Sequence, residues 1–163
     1  MTLRVVYVGV SEVVVGDPRG NLNLLGFDQQ VLLVPEFPAT VAPHFLCVVE
    51  DVAEVDEPSV TGPSTLSMQM RVEDESGSTI FLVEAPPAPA QPKGYALAPS
   101  RVVATIQVPL TVSKPGRLRV VFKINVSSGV SGSPDEIVAE RDFWVDHPSA
   151  IESSLGQPRP RDL

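Results

Sequence analysis

Residues 116–126, GRLRVVFKINV, decide the fold because apolar and polar side chains alternate along them. A period of two is the spacing of an extended strand with one face on the core and the other in solvent. The inward set is Leu118, Val120, Phe122, Ile124 and Val126, against Arg117, Arg119, Lys123 and Asn125. The stretch therefore predicts a strand of an antiparallel sheet with one solvated face.

The same alternation recurs along the chain, and the segments between the alternating runs are rich in Gly and Pro. Two stretches, LRVVYVGV (3–10) and FLCVVEDV (45–52), are apolar on both faces, which predicts central strands or strands covered by another subunit. The predicted strands lie near 2–15, 21–33, 44–53, 64–74, 79–84, 100–109, 117–126 and 136–146. The first two form a hairpin around GDPRG (16–20).

Short strands at this spacing predict an all-β protein, an antiparallel β-sandwich of about eight strands with an immunoglobulin-like character. The domain is expected over residues 1–146. A C-terminal tail, 147–163, is expected to be a short helix or disordered, because Ser149 and Glu152 have capping-box spacing before QPRPRDL.

The charge balance excludes two classes of partner. The chain has 163 residues with a formal net charge of −8, whereas nucleic-acid binding needs clustered Lys and Arg. The acidic balance also argues against an anionic membrane surface, and no apolar run approaches the roughly 20 residues that span a bilayer. One cysteine and the lack of a signal-peptide pattern predict a cytoplasmic protein.

Alternate loops of such a chain fall at the same end of the sheets. A first end is expected to carry 16–20, 54–63, 85–99 and 127–135, and a second end 34–43, 75–78 and 110–116. The first end collects five acidic residues as candidate Ca²⁺ ligands: Asp17, Glu54, Asp56, Glu57 and Asp135. The tight D-x-D spacing is absent, so a solvated acidic rim is the competing interpretation.

A proline-rich stretch at the first end, EAPPAPAQPKGY (84–95), fits the P-x-x-P pattern twice. Polyproline segments dock in aromatic grooves, which makes Pro86, Pro89, Pro92 and Tyr95 candidate partner-binding residues. A stiff loop that stays outside the sheets is the competing interpretation.

The recognisable catalytic motifs are missing from the sequence, which leaves open only a pair of carboxylates brought together by two strands. Only two histidines are present, His44 and His147, and no zinc spacing or phosphate-binding glycine loop occurs. Cys47 lies in a predicted buried strand, and His44, three residues away, falls on the opposite strand face. GVSGS (129–133) precedes a strand rather than the helix that a nucleophile elbow requires. No catalytic residue, metal or cofactor is predicted, and the protein is expected not to be an enzyme.

Several segments resemble an uncharacterised bacterial family of small all-β proteins when taken in order. They are VYVGVSEVVV, GNLNLLGFDQQV, FPATVAPHFLCVVE, PLTVSKPGRLRVVFKINVSS and DFWVDHP. The family shows a GKLNVIGGFD-like hairpin, an FPA segment before a strand and a PGxYxF-like strand. Here Arg19-Gly20 replaces Gly-Lys, and Leu118 stands where an aromatic is common. The resemblance covers about residues 3–146 and implies a β-sandwich in a bacterial cytosol, without an activity or site residues.

The sequence thus predicts a non-enzymatic interaction or assembly module, which binds a protein partner or self-associates as an oligomer. One alternative is a structural subunit of a phage particle or another ordered assembly. The other is a Ca²⁺-dependent ligand or lipid binder that uses the acidic first end.

Overall fold

Strands dominate the computed structural model, which describes residues 3–16, 22–27, 30–51, 65–89, 101–127 and 135–150. Within these ranges the strands are β1 (Leu3–Gly16), β2 (Leu22–Phe27), β3 (Val31–Leu33), β4 (Ala39–Val41), β5 (His44–Asp51), β6 (Thr65–Glu73), β7 (Thr79–Pro89), β8 (Arg101–Gln107), β9 (Leu110–Val112), β10 (Gly116–Ser127) and β11 (Asp135–Asp146). The all-β class is confirmed.

The strands form two large sheets and one small one. The first sheet has the order β2-β1-β5-β8, the second β3-β11-β10-β6-β7, and the small sheet pairs β4 with β9. All pairs are antiparallel except β3–β11, which is parallel. The expectation of a purely antiparallel arrangement is therefore wrong. The reason is that 21–33 is not one strand: β2 belongs to the first sheet and β3 to the edge of the second.

The predicted hairpin between the first two strands is confirmed. β1 and β2 pair antiparallel, and Gly16 lies opposite Leu22. The turn between these two residues lies outside the described residues.

One hydrophobic core takes side chains from both large sheets. The predicted inward set of β10 is buried in it, as are Met70 and Val72 of β6, with Leu66 and Met68 packed against it. From the first sheet, Val10, Phe45 and Cys47 enter the same core. Alternation therefore predicted correctly which face of β6 and β10 is buried.

The two stretches that are apolar on both faces are the central strands of the first sheet. β1 pairs with β2 and β5, and β5 pairs with β1 and β8. Leu46 points away from Phe45 and Cys47 and is nevertheless only 2% exposed. The buried Glu50 carboxylate lies on the same face and accepts a 2.7 Å hydrogen bond from Arg4.

Ion pairs cover the outer face of the second sheet. Arg119 of β10 lies opposite Asp142 of β11, with Nε and Oδ1 2.8 Å apart. Further along the same two strands, Lys123 Nζ lies 2.7 Å from Glu136 Oε2. The polar set predicted for 116–126 is thus the face that carries these pairs.

Helical structure within the described ranges is confined to a turn at 148–150. The Ser149 N–H donates a 3.1 Å hydrogen bond to His147 Nδ1, which satisfies one amide at the start of this turn. No helix in the described part of the chain is long and apolar enough to cross a membrane.

Candidate functional site

A cleft of about 550 Å³ lies at the second loop end, between the β6–β7 turn and the segment that runs from β9 into β10. We call it the end cleft. Its described walls combine apolar side chains, such as Ile80 and Leu118, with the hydroxyl of Ser113 and the cations of Lys114 and Arg117. The volume is that of an ordinary ligand site, and the mixed walls suit an amphipathic ligand.

The β6–β7 turn is held by the carboxylate of Asp74. Its Oδ1 accepts hydrogen bonds from Ser76 N at 2.9 Å, Ser76 Oγ at 2.6 Å and Ser78 N at 3.0 Å. These bonds, the Ser76 side chain foremost, lower the pKa of Asp74. Gly77 supplies the left-handed conformation that the turn requires, at φ +80°. The Asp74 carboxylate is therefore engaged in hydrogen bonds within its own turn.

A second carboxylate joins this turn to the start of β10. Glu75 Oε1 accepts a 2.9 Å hydrogen bond from the Arg117 N–H. Gly116 makes room for it, because a Cβ at that position would come within 3.3 Å of the same oxygen. The two sides of the end cleft are thus fixed to each other by a charge-assisted bond.

The cations of the end cleft are less fully paired than its carboxylates. Lys114 contributes to lowering the pKa of Asp74 through its charge, but it makes no ion pair within 4 Å among the residues that the structure describes. The Arg117 guanidinium approaches Asp142 only to 3.5 Å, and Asp142 is hydrogen-bonded to Arg119. The cleft therefore offers donors to a ligand.

Strand β7 reaches the end cleft through Ile80 and is the outer strand of the second sheet. Its register against β6 is regular from Phe81 to Ala85, and irregularities bound this run on both sides. We call this run the β7 edge. Along it Leu82 is 52% exposed, and Ile80 beside it is 43% exposed. Ile80 thus belongs both to the wall of the cleft and to the exposed face beside the β7 edge.

The structure describes almost none of the candidate Ca²⁺ ligands. Asp17, Glu54, Asp56 and Glu57 lie outside the described residues, and only the backbone of Asp135 is described, where it pairs with Val126. No group of three His, Cys, Asp or Glu side chains that could hold a metal occurs in the described ranges. The Ca²⁺ site stays a prediction.

The predicted loop 85–99 begins later than expected, because β7 runs to Pro89, while the partner-binding role of these residues stays a prediction. Pro86 and Pro89 lie on β7, and only Pro92 and Tyr95 fall beyond it, outside the described residues. Proline is tolerated there because, among the described strands, β7 borders β6 alone, so an outward-facing N–H is not needed for the ladder.

Cys47 is a core residue, as predicted. It is fully buried, and burial raises the pKa of its thiol to about 11, which makes it a poor nucleophile. His44 and Cys47 both lie on β5, three positions apart, so their side chains are on opposite faces of the strand.

An apolar cavity of about 130 Å³ lies beside Cys47, between the two large sheets. Its described walls include Met68, Ala104, Ile124 and Pro86. Pro86 is therefore the one proline of the predicted partner-binding set that the structure places against a cavity among the residues it describes.

Sequence reasoning did not single out Glu75, Lys114 and Leu82. The sequence did contain a signal for Glu75 and Lys114, because the loops that hold them, 75–78 and 110–116, were expected at the same end of the sheets. The hydrogen bond between Glu75 and Arg117 and the pairing of β4 with β9 confirm that grouping. Alternation within TIFLVEA (79–85) also placed Leu82 opposite to Phe81 and Val83, which pack on the core. What the sequence lacked was the sheet order that makes β7 an edge.

No protein-family model matches the chain, and no curated protein matches it either. The resemblance to the small bacterial all-β family stays a prediction.

Proposed function

We propose that this protein is a non-enzymatic interaction module that binds an extended segment of a protein partner along the β7 edge. The observation that carries the proposal is the regular run from Phe81 to Ala85 on a strand that has β6 as its one neighbour among the described strands. An outer strand presents unpaired N–H and C=O groups, and an added strand satisfies them while its side chains give specificity.

The β7 edge lacks the features that protect other outer strands. The run holds no Lys and no Pro, and Glu84 is its single charge, whereas Pro86, Pro87 and Pro89 follow directly after it. β7 has 11 residues, against six in β2, three in β3 and seven in β8. Exposed apolar side chains on β3 and β11 form another patch, but β3 has only three residues, and the part of β11 that β3 does not pair with carries the charged residues Glu136, Glu140 and Arg141.

We also propose that the two large sheets form an immunoglobulin-like β-sandwich. Their shared core and the contact between Phe45 and Phe143 support a face-to-face arrangement. The bacterial, cytoplasmic setting is likewise proposed, on the sequence patterns alone.

The experiment selects ligands from a library of random peptides and compares two matched variants. Leu82→Lys places a charge on the β7 edge. Val138→Lys places the same charge at an equally exposed site, 56% against 52%, on β11, a different strand of the same sheet. Selected peptides are expected to bind the Val138→Lys variant like the parent protein and to lose at least tenfold in affinity for Leu82→Lys.

Hydrogen exchange locates the bound peptide. Amides of Phe81–Ala85 are expected to gain protection, because an added strand takes up their outward groups. Peptides that bind both variants equally, or a library without ligands, contradict the proposal. If light scattering shows an oligomer that Leu82→Lys dissociates and Val138→Lys does not, the bound strand is β7 of a second copy of this chain rather than a segment of another protein.

A further inference from the structure

We infer that the apolar cavity beside Cys47 is a binding site for a short hydrocarbon chain, the alkyl part of a small neutral amphiphile. Such a site is independent of the proposed function, because it lies between the two large sheets rather than along the outer side of β7. Three features support it: the small side chains around the cavity, the chemistry of its walls and the side on which it opens.

Small side chains leave the space between the sheets unfilled at this point. On the first sheet, Cys47 of β5 pairs with Ala104 of β8, so two small side chains stand side by side. On the second sheet, Met68 of β6 pairs with Ala85 of β7. All four residues line the cavity, and three of them are small, whereas a filled core sets large side chains against small ones. The cavity therefore follows from the residues at these positions.

An irregularity in the pairing of β6 with β7 adds to the lining. The register passes from Met68 opposite Ala85 to Leu66 opposite Ala88, so β7 holds one residue more than β6 over this step. Ala85 and Pro86 both line the cavity, although consecutive residues of a regular strand face opposite sides. The bulge thus brings a second apolar group of β7 to the cavity, at a proline that cannot donate to the ladder.

The described walls suit a hydrocarbon better than water. Their side chains are apolar apart from the Cys47 thiol, which is a weak hydrogen-bond donor. A buried water needs about two to four polar partners, so walls of this kind hold water poorly. Apolar cavities of about 150 Å³ stay dry and bind molecules of the size of benzene. At about 130 Å³, this cavity has room for a short alkyl chain.

The cavity opens on the side where the two large sheets end. Among the described strands, β8 is an outer strand of the first sheet and β7 of the second. Ala104 and Ala85 on these strands are half-buried and Pro86 is exposed, whereas Cys47 and Ile124 are buried. A ligand therefore enters from the side of β7 and β8 with its hydrocarbon end toward Cys47. Its polar group stays in water at the opening, because burial without a partner is costly.

The experiment follows the methionine methyl groups of the full chain by NMR, with isotope-labelled methionine. The probes are the unbranched primary alcohols from butanol to octanol, which are neutral and so avoid repulsion by the net charge of −8. Met68 lines the cavity, whereas Met70, two residues along the same strand, is buried and is not among the described walls.

The methyl signal of Met68 is expected to shift in a saturable way, and that of Met70 to shift less. The affinity is expected to rise about fourfold with each added methylene, because each one leaves water, until the chain fills the cavity. Met68 shifts that do not saturate overturn the inference. An affinity that does not grow with chain length overturns it as well.

Two matched variants locate the bound alcohol. Ala104→Ile fills the cavity from the first sheet. Ala139→Ile is the control, because Ala139 is also half-buried against the core and is not among the described walls of the cavity. Circular dichroism checks that both variants are folded. Ala104→Ile is expected to weaken binding at least about tenfold and Ala139→Ile to preserve it. Equal binding by a folded Ala104→Ile variant and the parent overturns the inference, and the chain-length series on the parent protein decides the matter if that variant does not fold.

Discussion

Phe45 of β5 and Phe143 of β11 lie against each other in the core, with ring centroids 5.5 Å apart and ring planes tilted by 58°. Both side chains are fully buried. Phe45 belongs to the first large sheet and Phe143 to the second. Tilted aromatic pairs at this separation contribute beyond the area they bury. The pair is therefore a direct energetic link between the two sheets.

A double-mutant cycle measures this link. Phe45→Leu and Phe143→Leu are each expected to destabilise the protein, and the double variant is expected to lose about 0.5–1.5 kcal/mol less than their sum. Urea unfolding of the four proteins gives the coupling free energy. Phe143→Leu combined with Val138→Ala is the control, which should be additive because the two positions lie far apart on β11. Additivity of the two phenylalanine changes would contradict a direct contact.

Because of the ion pair between Arg119 and Asp142, we expect the free energy of unfolding to fall in acid. The hydrogen bond from Arg119, together with the charges of Arg119 and Arg117, lowers the pKa of Asp142. A carboxylate with a depressed folded-state pKa contributes stability that is present above its unfolded pKa, about 3.9, and is lost as the pH falls through the folded value.

Asp142→Asn is accordingly expected to be less stable than the parent at neutral pH, with a difference that shrinks below about pH 4. Urea unfolding at a series of pH values measures this difference. Glu36→Gln, at an exposed position without an ion pair in the described ranges, is the control and should track the parent. A difference that stays constant with pH would rule out the pair as its cause.

The thiol of Cys47 is expected to be inert in the folded protein. Its pKa of about 11 and complete burial leave almost no accessible thiolate at pH 8. Ellman's reagent should react only as fast as the protein opens, and at once in denaturant. Rapid labelling of the folded protein would show that the cavity beside Cys47 admits the reagent.

Gly77 is expected to resist replacement for a purely conformational reason. Its φ is +80°, and an added Cβ would meet nothing within 4 Å. Gly77→Ala is therefore expected to cost about 1–2 kcal/mol from the left-handed backbone alone, and Gly77→Asn less, because Asn adopts that conformation more readily. Thermal and urea unfolding of the two variants test this order. Equal stability of Gly77→Ala and the parent would contradict it.

Periodicity predicted β6 and β10 because one face of each strand packs against the core. It could not predict β4 and β9, since a three-residue strand leaves no period to read. Val121 falls on the polar face of β10 by this period, and yet it is 2% exposed, between Arg71 and Glu140 in register. Long charged side chains on the adjacent strands cover this small apolar side chain. The pattern of a single strand carries no information about the neighbouring strands, so it could not predict this burial.

The candidate site was predictable only in part. The grouping of 75–78 with 110–116 follows from strand reversal, so the position of the end cleft could be anticipated. Its chemistry could not, because the hydrogen bonds of Asp74 and Glu75 depend on turn geometry at the atomic scale. The β7 edge depends on sheet order, which a run of alternating strands leaves undetermined.

The parallel pairing of β3 with β11 has a consequence for synthesis on the ribosome. Leu33 lies opposite Asp146, more than a hundred residues later in the chain. At a translation rate of about 5–20 residues per second, β3 waits on the order of 5–20 seconds before β11, its partner among the described strands, exists. During that interval the nascent chain exposes Leu32, which the finished protein buries in its core. Chaperones would therefore meet this segment early, well before the second sheet can close.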